Sequence, residues 1–180
     1  FKETGVKGAL LVEPAAFEDD RGYFMRAFCR NELKEAGVDF EVAQANMAGS
    51  TSRATLRGMH YQISPYEEGK LIRCTRGSVF DVVLDIRPGS ESYGSWFGTE
   101  LTPGNRNMLY VPPGCAHGYL TLEEHTEVYY LVSEFYSPGS ERGIRWNDPQ
   151  FTIDWPIREN LVMSDKDLAW PDFNVSEDDI

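Results

Sequence analysis

Apolar segments in this chain are short, and Gly, Pro, Asn or Asp interrupts them about every eight to twelve residues. So little uninterrupted chain argues against long helices and suits the strands of an all-β sandwich or barrel. Strands are predicted near residues 8–13, 22–29, 42–47, 54–62, 69–76, 78–87, 94–102, 107–112, 116–122 and 126–136. The clearest alternation lies at 79–87, where Phe80, Val82, Leu84 and Ile86 share one face and Asp81 and Asp85 the other. The first set is expected in the core. One helix is predicted at 31–36, capped by Asn31 and ended by Gly37. A second is expected after Ser164, where Ser164-Asp165-Lys166-Asp167 has the form of a helix start. With no linker and no repeat, residues 1–180 are expected to form one domain, with an acidic, frayed tail from Asn174 to Ile180. Phe151, Trp155 and Trp170 follow the loop-rich stretch 137–149 and should fold the C-terminal segment back onto the barrel.

Charge narrows the partners. The chain carries 29 acidic and 17 basic side chains, a net charge of −12. Such a surface repels a phosphate backbone, so no nucleic acid is expected as partner. A site for a phosphorylated small molecule must gather Arg, Lys and His locally against that field. No apolar run approaches the roughly 18 residues of a membrane span, so no membrane partner is expected. The opening residues lack the basic, apolar and small-residue succession of a signal peptide. Cys29, Cys74 and Cys115 are odd in number, far apart, and form no C-x-x-C pair. That is the usage of a reducing compartment, and the cytoplasm is the expected location.

Five segments carry residues with chemical potential. In Leu56-Arg57-Gly58-Met59-His60-Tyr61-Gln62, His60 is a candidate base, because neutral imidazole takes a proton near neutral pH. Its alternative is a hydrogen-bonded structural histidine. Strict alternation puts Arg57 and His60 on opposite faces, unless Gly58 marks a bulge. Pro112-x-Gly114-x-x-His117 has the turn-then-strand form common in cupin barrels. Metal-binding cupins pair that histidine with an H-x-H segment, but here the matching place reads His60-Tyr61-Gln62. With three histidines in all, no metal site is expected. Tyr130 and Tyr136 share strand parity, and a buried phenol there can act as a proton donor, although tyrosines in strands usually only fill space. Lys70 lies near Arg73 and Arg76; pointing inward, it can polarise a carbonyl or hold a phosphate, and pointing outward it is merely solvated. Asp165-Lys166-Asp167 reads as a solvated acidic turn on its own.

In order and spacing these pieces resemble the dTDP-4-dehydrorhamnose 3,5-epimerase family from about Val12 to Phe173. The resemblance rests on Asp20-Arg21-Gly22-Tyr23-Phe24, Gln44-x-Asn46, Leu56 to Gln62, Gly69 to Arg73, Val79 to Asp85, Pro112 to Gly118, Tyr136-Ser137-Pro138 and Gly143 to Pro149. It implies a cupin-type jelly-roll barrel, usually a homodimer, that works without metal or cofactor on a nucleotide-diphosphate sugar. It further implies a reaction that inverts C3 and C5 of a 4-keto-6-deoxyhexose, as in dTDP-L-rhamnose biosynthesis. By the same resemblance His60 is the base, Asp167 its carboxylate partner, Tyr130 the opposing acid, and Lys70 the cation near the C4 oxygen. Arg57 and His117 match positions around substrate. Arg21, Gln44, Asn46, Tyr136, Glu141 and Lys166 match further ligand contacts. The chain departs from the family pattern in two places. Arg26 stands where the family has Glu, and Gln44-Ala45-Asn46-Met47-Ala48 replaces Gln-Asp-Asn-His-Ser in what is read as a loop beside the substrate. A C3-only or C5-only epimerase, or a sugar-binding cupin without catalysis, is the alternative. The missing Gly-rich dinucleotide fingerprint agrees with chemistry that needs no redox cofactor.

Overall fold

The computed structural model describes residues 1–174; the tail expected to fray lies, from residue 175 onward, outside the described residues. In chain order the strands are β1 (Lys2–Glu3), β2 (Leu10–Val12), β3 (Ala16–Asp19), β4 (Gly22–Met25), β5 (Gln44–Ser50), β6 (Leu56–Gln62), β7 (Lys70–Arg76), β8 (Val79–Asp85), β9 (Trp96–Leu101), β10 (Met108–Val111), β11 (Cys115–Thr121), β12 (Thr126–Val132) and β13 (Glu141–Gly143). Helix α1 (Arg30–Glu35) lies between β4 and β5, and α2 (Asp165–Leu168) follows β13. A six-stranded sheet in the order β1-β2-β10-β7-β12-β5 faces a five-stranded sheet in the order β13-β6-β11-β8-β9, and every strand pairing is antiparallel. This is the cupin-type jelly roll. Hairpin β3–β4 stands apart from both sheets.

Each sheet carries packed apolar residues on both sides, with the outer side of edge strand β5 left open. Between the sheets, Ile72, Cys74, Val83, Leu109, Val111 and Val128 form the barrel interior. Outside the six-stranded sheet, Leu33 of α1 with Val38 and Phe40 packs on Leu10, Leu71, Tyr110 and Leu131. Outside the five-stranded sheet, Phe151, Ile153 and Trp155 of the C-terminal segment pack on Leu56, Met59, Val82, Leu84 and Leu120. The alternation in β8 therefore has a different meaning from the expected one. Val82, Leu84 and Ile86 are core, as predicted, but under the C-terminal segment rather than inside the barrel, and Phe80 is only partly buried. The opposite face is buried as well: Asp81 and Asp85 are both fully shielded from solvent. A strand covered on both faces no longer sorts polar from apolar by exposure.

Ten predicted strands match observed ones. The misses are β1, β3 and β13, each of two to four residues and too short to show a period. Strand β12 stops at Val132 rather than running to 136, because side-chain amides take over the following backbone groups. Tyr136 N donates to Gln44 Oε1 at 2.7 Å, and Ser137 N donates to Gln62 Oε1 at 2.6 Å. Helix α1 begins one residue early, at Arg30, so Asn31 lies inside it; Cys29 occupies the cap position and supplies no side-chain bond. Gly37, at φ +85°, ends the helix as expected. Helix α2 forms where predicted, with Ser164 as its cap.

Candidate active site

The site is built on a break in alternation. Strands β6 and β11 pair His60 with His117, and Arg57 with Tyr119, so three steps along β6 match two along β11. The extra residue is a β-bulge, and it resolves the conflict between Arg57 and His60. Leu56, Met59 and Tyr61 point outward into the C-terminal core, while both Arg57 and His60 line the cavity at the barrel mouth. Gly58 makes this possible: it has φ +117°, and a Cβ there would lie 2.6 Å from Gly118 Cα and 2.7 Å from His117 O. Only glycine fits both the torsion and the space.

Two adjoining cavities of about 340 and 240 Å³ share His60, Lys70 and Tyr130. His60 Nε2 lies 2.5 Å from Asp167 Oδ1. Asp167 is 4% exposed, and its other oxygen accepts from Ser164 Oγ at 2.9 Å. Burial alone would raise the Asp167 pKa, but the bonds from His60 and Ser164 outweigh it and hold the carboxyl below its usual range. An ionised carboxylate only accepts, so Nε2 donates and Nδ1 keeps the ring's lone pair. Trp170 meets the imidazole edge-on at 6.3 Å and is seated where Gly143 leaves room; a Cβ on Gly143 would come within 2.2 Å of the indole.

On the facing sheet, Lys70 shares parity with the interior residues Ile72 and Cys74, so it points inward, and it is 8% exposed. Its Nζ meets Glu68 Oε1 at 2.7 Å. Tyr130 packs against the barrel interior and lines both cavities. Burial pushes its phenol pKa up, Glu68 adds to this, and Arg57 partly opposes it. The group is therefore an O–H at neutral pH. His117 Nε2 lies 2.9 Å from the fully buried Asp81 Oδ1. Arg57 donates to Gly49 O at 3.0 Å. At the rim, Glu141 accepts from both Tyr136 OH, at 2.6 Å, and Lys166 Nζ. Gln44 and Asn46 line the wall from β5.

Eleven of the twelve site residues expected from sequence thus line this depression. The exception is Arg21. Its Asp19-Asp20-Arg21-Gly22 segment is the β3–β4 turn, where Arg21 is exposed and bonds to Asp19, and it lines neither cavity. Arg26 is likewise outside, paired with Glu32 at 3.4 Å. The altered stretch 44–48 is strand β5, not a loop. Its inward residues are Gln44, Asn46 and Ala48; of the three substituted positions Ala48 therefore lines the cavity, while Ala45 and Met47 face away as exposed residues. The local surplus of positive charge is not found in this chain's own lining: Arg57, Lys70 and Lys166 are matched by Glu68, Glu141 and Asp167. Glu68, Asp81, Ser164 and Trp170 were not foreseen as site residues. Parity carried a signal for two of them, since Glu68 stands two residues before Lys70 and Asp81 lies opposite the outward face of β8. Among the described residues no three of His, Cys, Asp and Glu converge as metal ligands.

A braced imidazole on one wall and a protonated phenol on the other can take a proton from one face of a carbon and return one to the opposite face. On a cupin-type barrel, that capacity defines the class of sugar epimerases. The sequence profile of dTDP-4-dehydrorhamnose 3,5-epimerase matches residues 3–175. The dTDP-4-dehydrorhamnose 3,5-epimerase of Shigella flexneri is 43% identical over 167 residues, covering 92% of this chain and 91% of that protein. The crystal structure of the Legionella pneumophila dTDP-6-deoxy-D-glucose-3,5-epimerase, in complex with dTDP-4-keto-L-rhamnose, has a TM-score of 0.87 at 37% identity, covering 93% of this chain and 88% of that one. A 3'-monoepimerase from Streptomyces bikiniensis, in complex with dTDP-quinovose, has a TM-score of 0.88 at 33% identity, covering 95% of this chain and 86% of that one. The chain belongs to the dTDP-4-dehydrorhamnose 3,5-epimerase family.

Proposed function

We propose that the protein converts dTDP-4-dehydro-6-deoxy-D-glucose to dTDP-4-dehydro-L-rhamnose by inverting C3 and C5 in turn. The observation that carries this reading is the His60–Asp167 pair, which shares a cavity with Tyr130 and Lys70. The C4 ketone acidifies the neighbouring C–H bonds. His60 Nδ1 takes the proton, and the electron pair moves onto the C4 oxygen as an enolate. Asp167 stabilises the imidazolium that forms. Lys70, with Arg57 and His117, stabilises the oxygen's charge, which is larger in the transition state than in the ground state. The enolate then collapses and takes its proton from Tyr130 on the opposite face, leaving the carbon inverted. Solvent exchange resets both side chains before the second carbon reacts.

Gln44, Asn46, Tyr136, Glu141 and Lys166 surround the diphosphate and nucleoside end in this reading. The whole chain serves as one domain, working in the cytoplasm, in keeping with its three free cysteines. We further infer a homodimer. Phe17 and Phe24 on hairpin β3–β4 are 71% and 66% exposed, a surface that a second copy would cover. The hairpin would bring Arg21 into that interface, which gives this residue a role that its own cavity does not.

The test is incubation with dTDP-4-keto-6-deoxyglucose in heavy water, followed by NMR. Deuterium at both C3 and C5 is expected. Label at one carbon only would move the assignment to a mono-epimerase, the activity of the Streptomyces bikiniensis neighbour. No label at either carbon would refute the epimerase.

A further inference from the structure

The residue that neither motif nor mechanism has used is Glu68. Its side chain is about as buried as that of Lys70, at 12% and 10% exposure, and the two meet at 2.7 Å. A buried ion pair is an expensive way to fill space, because desolvation costs several kcal/mol per ion and apolar replacements are often as stable. This pair lies at the barrel mouth, where the sheet carrying Lys70 and Tyr130 faces the one carrying His60. It lies on the cavity wall beside His60 and Tyr130. Its cost therefore points to a role in the cavity.

We propose that Glu68 is a positioning residue of this active site: it fixes the Lys70 ammonium where charge builds on the ketone oxygen, and it keeps a negative charge beside the Tyr130 phenol. The proposal rests on the epimerase reading above. Lys70 has a flexible four-carbon stem and a rotatable ammonium. The carboxylate converts that mobility into one orientation before substrate arrives, which is the condition for electrostatic preorganisation. The same carboxylate acts on the acid. Glu68 favours the protonated phenol of Tyr130, and Arg57 from β6 favours the phenolate. The other charged or titratable groups facing the phenol come from several elements. His60 is on β6, with Asp167 behind it, and His117 and Tyr119 are on β11. Lys70 opens β7, and Lys166 and Glu141, which neutralise each other, close the rim. Strand β5 presents only the neutral Gln44, Asn46 and Ala48. Glu68 is thus the carboxylate on the Tyr130 side of the site, as Asp167 is on the His60 side. Each half of the acid–base pair has its own anion.

The test uses Glu68→Gln in the full-length protein, with two readouts. The first is the titration of Tyr130, followed by NMR on tyrosine labelled with carbon-13 at Cζ and assigned with Tyr130→Phe. The phenol should titrate measurably lower in the variant, because the negative charge that disfavours the phenolate is gone. The second is the pH profile of deuterium exchange into substrate. Loss of Glu68 makes Tyr130 easier to deprotonate, so the alkaline limb should move to lower pH. The kcat at the optimum should fall about tenfold or more, with KM changing much less. A Tyr130 titration and a profile that both superimpose on wild type would overturn the proposal. Should Glu68→Gln fail to fold, Glu68→Asp keeps the charge and shortens its reach. It should leave the Tyr130 titration near wild type but lower kcat, and a wild-type kcat would refute positioning. Absence of exchange in the wild-type enzyme would refute the epimerase reading itself, while the Tyr130 titration would still report on Glu68.

Discussion

Gly58→Ala is the sharpest test of how this fold makes its site. Alanine at φ +117° occupies a region that L residues rarely adopt, at a cost of about 1–3 kcal/mol. Its Cβ would approach two backbone atoms of β11, Gly118 Cα at 2.6 Å and His117 O at 2.7 Å. Neither can rotate away, so the β6–β11 pairing must open, at a cost of about 1–3 kcal/mol for overpacking. The combined loss is about 2–6 kcal/mol. For a domain of this size each kcal/mol shifts Tm by about 2–4 °C, so calorimetry should show a fall of roughly 4–24 °C. Activity should fall further than stability, because the same displacement separates Arg57 and His60 from His117. Exchange is measured at a temperature where the variant remains folded by circular dichroism, and kcat should be down about tenfold or more. Gly139→Ala is the control, since a Cβ there meets nothing within 4 Å, and it should stay within about 0.5 kcal/mol. A Gly58→Ala protein with wild-type Tm and wild-type exchange would refute the claim that the bulge aligns the site.

Asp85→Asn should destabilise the barrel at neutral pH by about 3–5 kcal/mol, because the buried carboxylate binds Arg87, Ser90 and Ser92 at once. Burial acts to raise the Asp85 pKa, but those bonds overcome it and hold the carboxyl far below the ordinary range. Its contribution is therefore complete above about pH 4, where the unfolded carboxyl is ionised, and it shrinks as pH falls toward the folded value. Urea unfolding of both proteins at pH 7 and pH 3 should show the gap narrowing, and a gap independent of pH would contradict the assignment. Separately, the protein should sediment at twice its chain mass of 20.4 kDa, and sedimentation as a single chain would contradict the homodimer.

Much of the barrel is legible in the sequence because strands announce themselves through turn residues and a period of two. Legibility fails where a second layer changes the meaning of burial. Asp81 and Asp85 alternate with apolar residues as a solvated face would, yet both are fully buried, Asp81 against His117 and Asp85 against Arg87, Ser90 and Ser92. Short elements such as β3 and β13 lack the length to show any period. In the site, His60, Lys70 and Tyr130 are readable because each stands on a strand whose parity fixes its direction, once the glycine in β6 is read as a bulge. Their supporting groups come from elsewhere in the chain. Asp167 reaches His60 across 107 residues, and Trp170 finds its seat on Gly143, contacts that no local pattern encodes. Arg21 shows the opposite limit: its motif is clear, but the turn that contains it points away from this chain's own cavity.

The central claim is that His60, held by Asp167, removes the proton. It is tested most directly by replacing His60 with Ala and measuring deuterium incorporation from heavy water into dTDP-4-keto-6-deoxyglucose. The variant should fold, since His60 is half-buried at the cavity rather than in the core. Exchange at both C3 and C5 should fall by about 10²-fold or more, the scale of lost general-base catalysis. Exchange at near wild-type rate in folded His60→Ala would contradict the account.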